Sequence, residues 1–200
     1  MQRIAIVVFE QGDLLDIGGP YEVFLTANRL VQRDGGEAPF DVVTIGRGPA
    51  QVYGGLRLVP QASFDEAGDL DVVIVPGAVD IDAVRADRDL MADIERLGKR
   101  ATTLASVCTG AFLLAETGLL PDSWTTHWED IGVLEGLSGT TGTPDVRWVD
   151  RGAVVTSGGL SSGIAMALHL VARFEGLDLA RRTARQIDYD WDPSGRRTVA

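Results

Sequence analysis

Along most of the chain apolar and polar residues interleave, but in four short stretches the polar partner positions disappear. These are 4–9, 41–45, 72–75 and 101–107, the last carrying two threonines and Ser106. A strand with one face in water alternates, whereas a strand covered on both faces reads as a continuous β-branched run, as in a parallel sheet between helical layers. Between these runs the period changes to that of helices. Segment 20–31 puts Val23, Ala27 and Leu30 on one face, with Pro20 suited to a first turn. Helices are also expected over 87–97 before Gly98, over 109–117 before Gly118, over 161–174 with Ser161 and Ser162 as caps, and over 178–189. Segment 51–60, with Gly54-Gly55 at its centre, predicts a hairpin, and 137–144 a loop. The order β, α, β, hairpin, β, α, β, α predicts an α/β, flavodoxin-like, doubly wound and mostly parallel sheet with helices on both faces. No repeat or linker divides it, so 1–190 is expected to be one domain and 191–200 a C-terminal tail, either an interface segment or frayed.

Charge narrows the function classes. Eighteen basic residues against 29 acidic ones give a net charge of -11, which argues against a phosphate-binding surface and a nucleic-acid partner. Arg181, Arg182 and Arg185 then read as a solvated helix face. One cysteine cannot close an internal disulfide, which points to a reducing, cytoplasmic setting. The first apolar run is too short for a signal-peptide core, and no stretch is long enough to span a bilayer, so a soluble intracellular chain without a membrane partner is expected.

The candidate chemistry centres on Cys108, in Ser106-Val107-Cys108-Thr109-Gly110, directly after a strand and before an apolar helix. The helix start favours a thiolate and offers free amides to developing charge, and Gly110 permits a sharp turn. The arrangement is that of a nucleophile elbow with sulfur for the hydroxyl, although a free cysteine also serves as a small buried hydrophobe. Asp16, in the segment between the first strand and first helix, is placed to reach the mouth of the neighbouring strand, and equally suits a helix N-cap. Val75-Pro76-Gly77-Ala78 ends another strand, where backbone amides can turn into the cleft. His127 and His169 lack the neighbours of zinc ligands. His127 suits packing where a strand meets a helix, and His169 an interior or interface position. The segment Gly158-Gly159-Leu160-Ser161-Ser162-Gly163 lacks the lysine of a nucleotide loop and is expected to serve close packing.

Together, Asp16-Ile17-Gly18-Gly19-Pro20, Val75-Pro76-Gly77, Ser106-Val107-Cys108-Thr109-Gly110, Thr125-Thr126-His127-Trp128 and Thr156-Ser157-Gly158-Gly159 resemble the ThiJ/PfpI superfamily, with its class I glutamine amidotransferase-like fold. The resemblance runs over nearly the whole chain. It is strongest to the isonitrile hydratase branch and to the ligand domains of certain AraC-type regulators. It implies Cys108 as nucleophile, Asp16 as the acid bonded to that sulfur, and the amides of Gly77, Ala78 and Thr109 as binders of developing charge. Thr109 stands where the superfamily's proteases carry histidine, which disfavours peptidase activity. Ala78 replaces a second glycine and Ala165 an aspartate. The implied reaction is hydration of a small isonitrile to an N-substituted formamide, without metal or organic cofactor, in an apolar pocket walled by Ile17 or Trp128. A homodimer is implied by the resemblance alone. The alternatives are a ligand-sensing domain, for which no helix-turn-helix region is expected in a sequence of this length, a cysteine-based redox or stress protein, and a glyoxalase-like aldehyde hydration.

Overall fold

The computed structural model describes residues 1–197. In chain order the elements are β1 (Gln2–Val7), α1 (Leu14–Arg33), β2 (Phe40–Ile45), β3 (Ala50–Gln51), β4 (Arg57–Leu58), β5 (Val72–Val75), α2 (Ile81–Arg85), α3 (Arg88–Arg100) and β6 (Thr103–Ser106). There follow α4 (Gly110–Glu116), β7 (Ser123–Trp124), a 3-10 turn (Trp128–Asp130), α5 (Ile131–Ser138), β8 (Thr141–Gly142), β9 (Trp148–Asp150), β10 (Val154–Ser157), α6 (Ser162–Glu175) and α7 (Leu177–Gln186).

Six strands form the central sheet in the order β2-β1-β5-β6-β10-β9, parallel except for β9, which runs antiparallel to β10. This is the expected doubly wound architecture. The unbroken apolar run at the start of the chain is explained by its two faces. Ile4, Ile6 and Val8 enter the core shared with α1, α6 and α7, while Ala5, Val7 and Phe9 enter the one shared with α3 and α4. With side chains alternating at a period of two, neither set can be polar without leaving a buried group unpaired. The expected hairpin is present as the two-stranded ribbon β3–β4.

Several boundaries differ from the sequence reading. Helix α1 begins at Leu14, and Pro20 lies inside it rather than in its first turn. Asp13 is the N-cap, its side chain accepting from the Leu15 amide at 3.0 Å, so Asp16 is neither in a loop nor the cap but in the first helical turn. Ser161 does not cap α6; its hydroxyl accepts from Arg147 instead, at 3.2 Å. The 137–144 stretch contains the end of α5 and the short strand β8. Strands β9 and β10 were not foreseen. Beyond α7 the chain packs back on the domain, with the Trp191 ring 6.3 Å from that of Trp148 and its Nε1 donating to the Ala165 carbonyl at 3.1 Å. Residues 198–200 of the expected tail lie outside the described residues. Among the described residues no helix is long and apolar enough to cross a membrane.

Candidate active site

Cys108 sits between β6 and α4, with Val107 donating its amide to the Val75 carbonyl at 3.0 Å. Its φ of 55° lies in the left-handed region, which a side-chain-bearing residue enters only under constraint. Three contacts supply that constraint: the Cys108 amide donates to the Gly158 carbonyl (3.1 Å), the Cys108 carbonyl accepts from the Thr126 hydroxyl (2.7 Å), and the Gly110 amide donates to the Val107 carbonyl (2.9 Å). Cysteine itself therefore makes the turn. Gly110 is needed for a different reason from the expected one, because a Cβ there would lie 2.4 Å from the Val75 carbonyl oxygen.

The first turn of α1 brings Asp16 to the same place. Asp16 is fully buried, its Oδ2 accepts from the Gly77 amide at 2.9 Å, and its Oδ1 has no hydrogen-bond partner among the described residues. The Thr109 hydroxyl donates to the Ala78 carbonyl (2.8 Å) and accepts from the Ala78 amide (2.9 Å), locking the end of β5 to the cysteine turn. Gly77 lies between these groups, where a Cβ would stand 2.5 Å from Thr109 Oγ1 and 3.0 Å from Asp16 Oδ2. This corrects the expected charge-binding set. The Gly77 amide is spent on Asp16 and the Ala78 amide on Thr109, so neither is free to meet a developing charge. The amides of Thr109 and Leu160 lie near enough to the sulfur to lower its pKa.

The electrostatics also differ from the expected thiolate. Burial, reinforced by the neighbouring Asp16 charge, pushes the Cys108 thiol up to about 12, against the lowering effect of the Thr109 and Leu160 amides. Burial pushes Asp16 from 3.8 up to about 8, opposed by the Gly77 amide and helped by the charge of Asp13. A seven-residue helix such as α4 cannot outweigh the loss of water around the sulfur. Both shifts favour the neutral forms, a thiol beside a carboxylic acid. Cys108 as a whole residue is buried, with 9% of its surface exposed.

Of the expected wall residues, Ile17 is buried in the apolar cluster that includes Cys108, whereas Trp128 is 60% exposed beside the His127 ring. That ring packs on Gly159, next to Leu160, with Nδ1 3.4 Å from Asp130. His169 Nε2 lies 2.7 Å from Asp150, its ring stacked on Trp148. Leu160 escaped sequence reasoning because its φ of 46° carries no signal in a leucine. An open cleft of about 550 Å³ at the ends of β1 and β2, floored by Phe9, Phe64 and Leu90, touches none of the site residues. Among the described residues no group of three potential metal ligands converges.

The sequence profile of the DJ-1/PfpI family matches residues 2–173. An isonitrile hydratase from Pseudomonas putida is 31% identical over 188 residues, covering 94% of this chain and 78% of that protein. The HTH-type transcriptional regulator GbdR of Pseudomonas aeruginosa is 27% identical over 193 residues, covering 94% of this chain but 51% of the regulator. Among solved structures, a ThiJ/PfpI family protein from Pseudomonas syringae superposes with a TM-score of 0.82 at 27% identity, over 96% of this chain and 76% of that one.

Proposed function

The chain belongs to the DJ-1/PfpI family, and from that premise we propose that it hydrates a small organic isonitrile to an N-substituted formamide. The observation that carries this reading is a fully buried Asp16 next to the Cys108 turn, with an unpartnered Oδ1 and a carboxyl that burial pushes up to about 8. An isonitrile carbon bears a lone pair, so a neutral acid activates it by protonation. The carboxyl proton goes to that carbon and the sulfur bonds to it, while the thiol proton passes to the carboxylate, giving R–N=CH–S–Cys108 with Asp16 again protonated. In the second stage Asp16 protonates the nitrogen and receives a proton from the attacking water. Collapse of R–NH–CH(OH)–S then breaks the C–S bond, releases R–NH–CHO and returns the hydroxyl proton to sulfur. Water and isonitrile are consumed one for one, and the sequence of steps requires no cofactor. The same proposal takes the working form to be a cytoplasmic homodimer, which sedimentation of the purified chain tests.

Formation of N-cyclohexylformamide from cyclohexyl isocyanide, followed by chromatography, is the test. Wild-type turnover that vanishes in Cys108→Ala is the expected result; full turnover in that variant refutes the nucleophile. A ligand-sensing domain is the second reading, favoured by the 94% of this chain that aligns with a regulator of which it covers 51%. That reading predicts isonitrile-independent ligand binding and no turnover. A peroxide-sensing role is disfavoured because the reactive species is the thiolate and this thiol is pushed up to about 12.

A further inference from the structure

Strand β6 ends at Ser106, yet the chain stays buried through Cys108 and Gly110, so the backbone groups of the turn need partners from elsewhere. Two of its carbonyls find hydroxyls. The Ser157 side chain donates to the Ser106 carbonyl at 3.1 Å, and the Thr126 side chain donates to the Cys108 carbonyl at 2.7 Å. Among the described residues that carbonyl has one other partner, the Ala111 amide, at the long distance of 3.5 Å. Thr126 is itself held from two sides. The Thr125 amide donates to the Thr156 hydroxyl of β10 at 2.9 Å. On the other side the His127 ring lies against Gly159, where a Cβ would stand 2.4 Å from its Cδ2. Thr125, Thr126 and Thr156 are all buried, so water does not compete for these bonds. The left-handed backbone of Cys108, with φ of 55°, persists in a residue other than glycine only while such contacts hold it.

We propose that Thr126 is a positioning residue for the nucleophile: its hydroxyl, docked on β10 through Thr125, fixes the Cys108 carbonyl and so keeps the cysteine turn in its left-handed form. Valine at 126 keeps the branched shape and removes the donor, whereas serine keeps the donor. The proposal rests on Cys108 being the reacting group, but not on the identity of the substrate.

The chain has one cysteine, so alkylation by iodoacetamide reports Cys108 alone. A buried thiol reacts when its turn opens, and loss of one buried hydrogen bond makes such an opening roughly fivefold more frequent. At a fixed pH, Thr126→Val should therefore be alkylated about five times faster than wild type, and Thr126→Ser at close to the wild-type rate. Thr183→Val is the structural control, because it removes a buried bond of the same kind, to the Leu179 carbonyl at 2.8 Å within α7. It should lower the melting temperature and leave the alkylation rate unchanged. In the isonitrile assay, Thr126→Val should lose kcat roughly tenfold with little change in KM, since the reacting atom is misplaced rather than the substrate unbound. Serine should restore it. Wild-type alkylation or wild-type kcat in Thr126→Val overturns the proposal, as does an equal acceleration in Thr183→Val or in Thr126→Ser. Should Thr126→Val not fold, Thr156→Val frees the Thr125 amide without touching the cysteine, and an alkylation rate unchanged there overturns the proposal instead. If wild type turns over no isonitrile, the reaction is refuted while the alkylation comparison still decides the role of Thr126.

Discussion

Replacing Asp16 by asparagine should make the protein more stable relative to wild type as pH rises. Below about pH 4 the carboxyl is protonated in both the folded and unfolded chain, and burying it carries no ionisation cost. Above its ordinary value of 3.8 the unfolded chain releases the proton, while the folded chain keeps it until about 8. Across that window wild type loses about 1.4 kcal/mol of stability per pH unit from this group, a loss complete once pH passes the folded value. Asparagine is spared it. Its carbonyl can keep the Gly77 amide bond, but its NH2 takes the place of a buried oxygen that has no partner among the described residues, a pH-independent penalty of roughly 1–3 kcal/mol. The observable is therefore the slope. The stability difference between Asp16→Asn and wild type should change in favour of asparagine by roughly 4 kcal/mol between pH 4 and 7, and level off above 8. Urea unfolding of both proteins at pH 5, 6, 7 and 8 measures it, with equal m-values as the check on two-state behaviour. A difference that stays flat from pH 5 to 8 would mean that Asp16 is ionised in the fold, and the acid-first mechanism would fall with it. Turnover should collapse in the same variant at every pH, because asparagine has no carboxyl proton to give to carbon.

Gly110→Ala should destabilise the fold by roughly 1–3 kcal/mol and cut turnover, since the new Cβ would stand 2.4 Å from the Val75 carbonyl and push the cysteine turn off β5; an unchanged thermal melt contradicts the packing described. Thr109→Val should cost about 2 kcal/mol, because both backbone groups of Ala78 lose their hydroxyl partner inside the protein. If denaturant unfolding shows no loss in that variant, the lock between β5 and the cysteine turn is not the structural tie inferred here.

The sheet was legible because burial on both faces leaves a direct mark on composition, as in the 4–9 run whose two alternating sets feed two different cores. Strands β9 and β10 left no such mark. Trp148–Asp150 lies at the sheet edge, where one side has no strand to pair with among the described residues, and Val154–Ser157 ends in buried hydroxyls bonded to the Thr125 amide and the Ser106 carbonyl. Pro20 misled the reading of α1 because a proline at the first turn is the common case. Here Asp13 supplies the cap earlier and the helix carries the proline inside. That shift matters for function, since it makes Asp16 a residue on a rigid helix rather than on a loop.

The residues of the candidate site were legible, but their chemical state was not. The strand–Cys–helix pattern points to a thiolate and to free amides, but local sequence says nothing about how much water, or which hydrogen-bond partners, surround a group. Once Asp16 and Cys108 share a buried space, desolvation outweighs the helix terminus, and the Gly77 and Ala78 amides are taken up in bonds to Asp16 and Thr109. The proposed chemistry must then begin from two neutral groups. That condition discriminates between substrates. A carbonyl takes such a proton on oxygen, one atom away from the carbon under attack, whereas an isonitrile takes the proton of Asp16 on the same carbon that then becomes electrophilic toward a sulfur losing its own proton in that step. The burial that makes Cys108 a poor general nucleophile thus suits a substrate activated by acid.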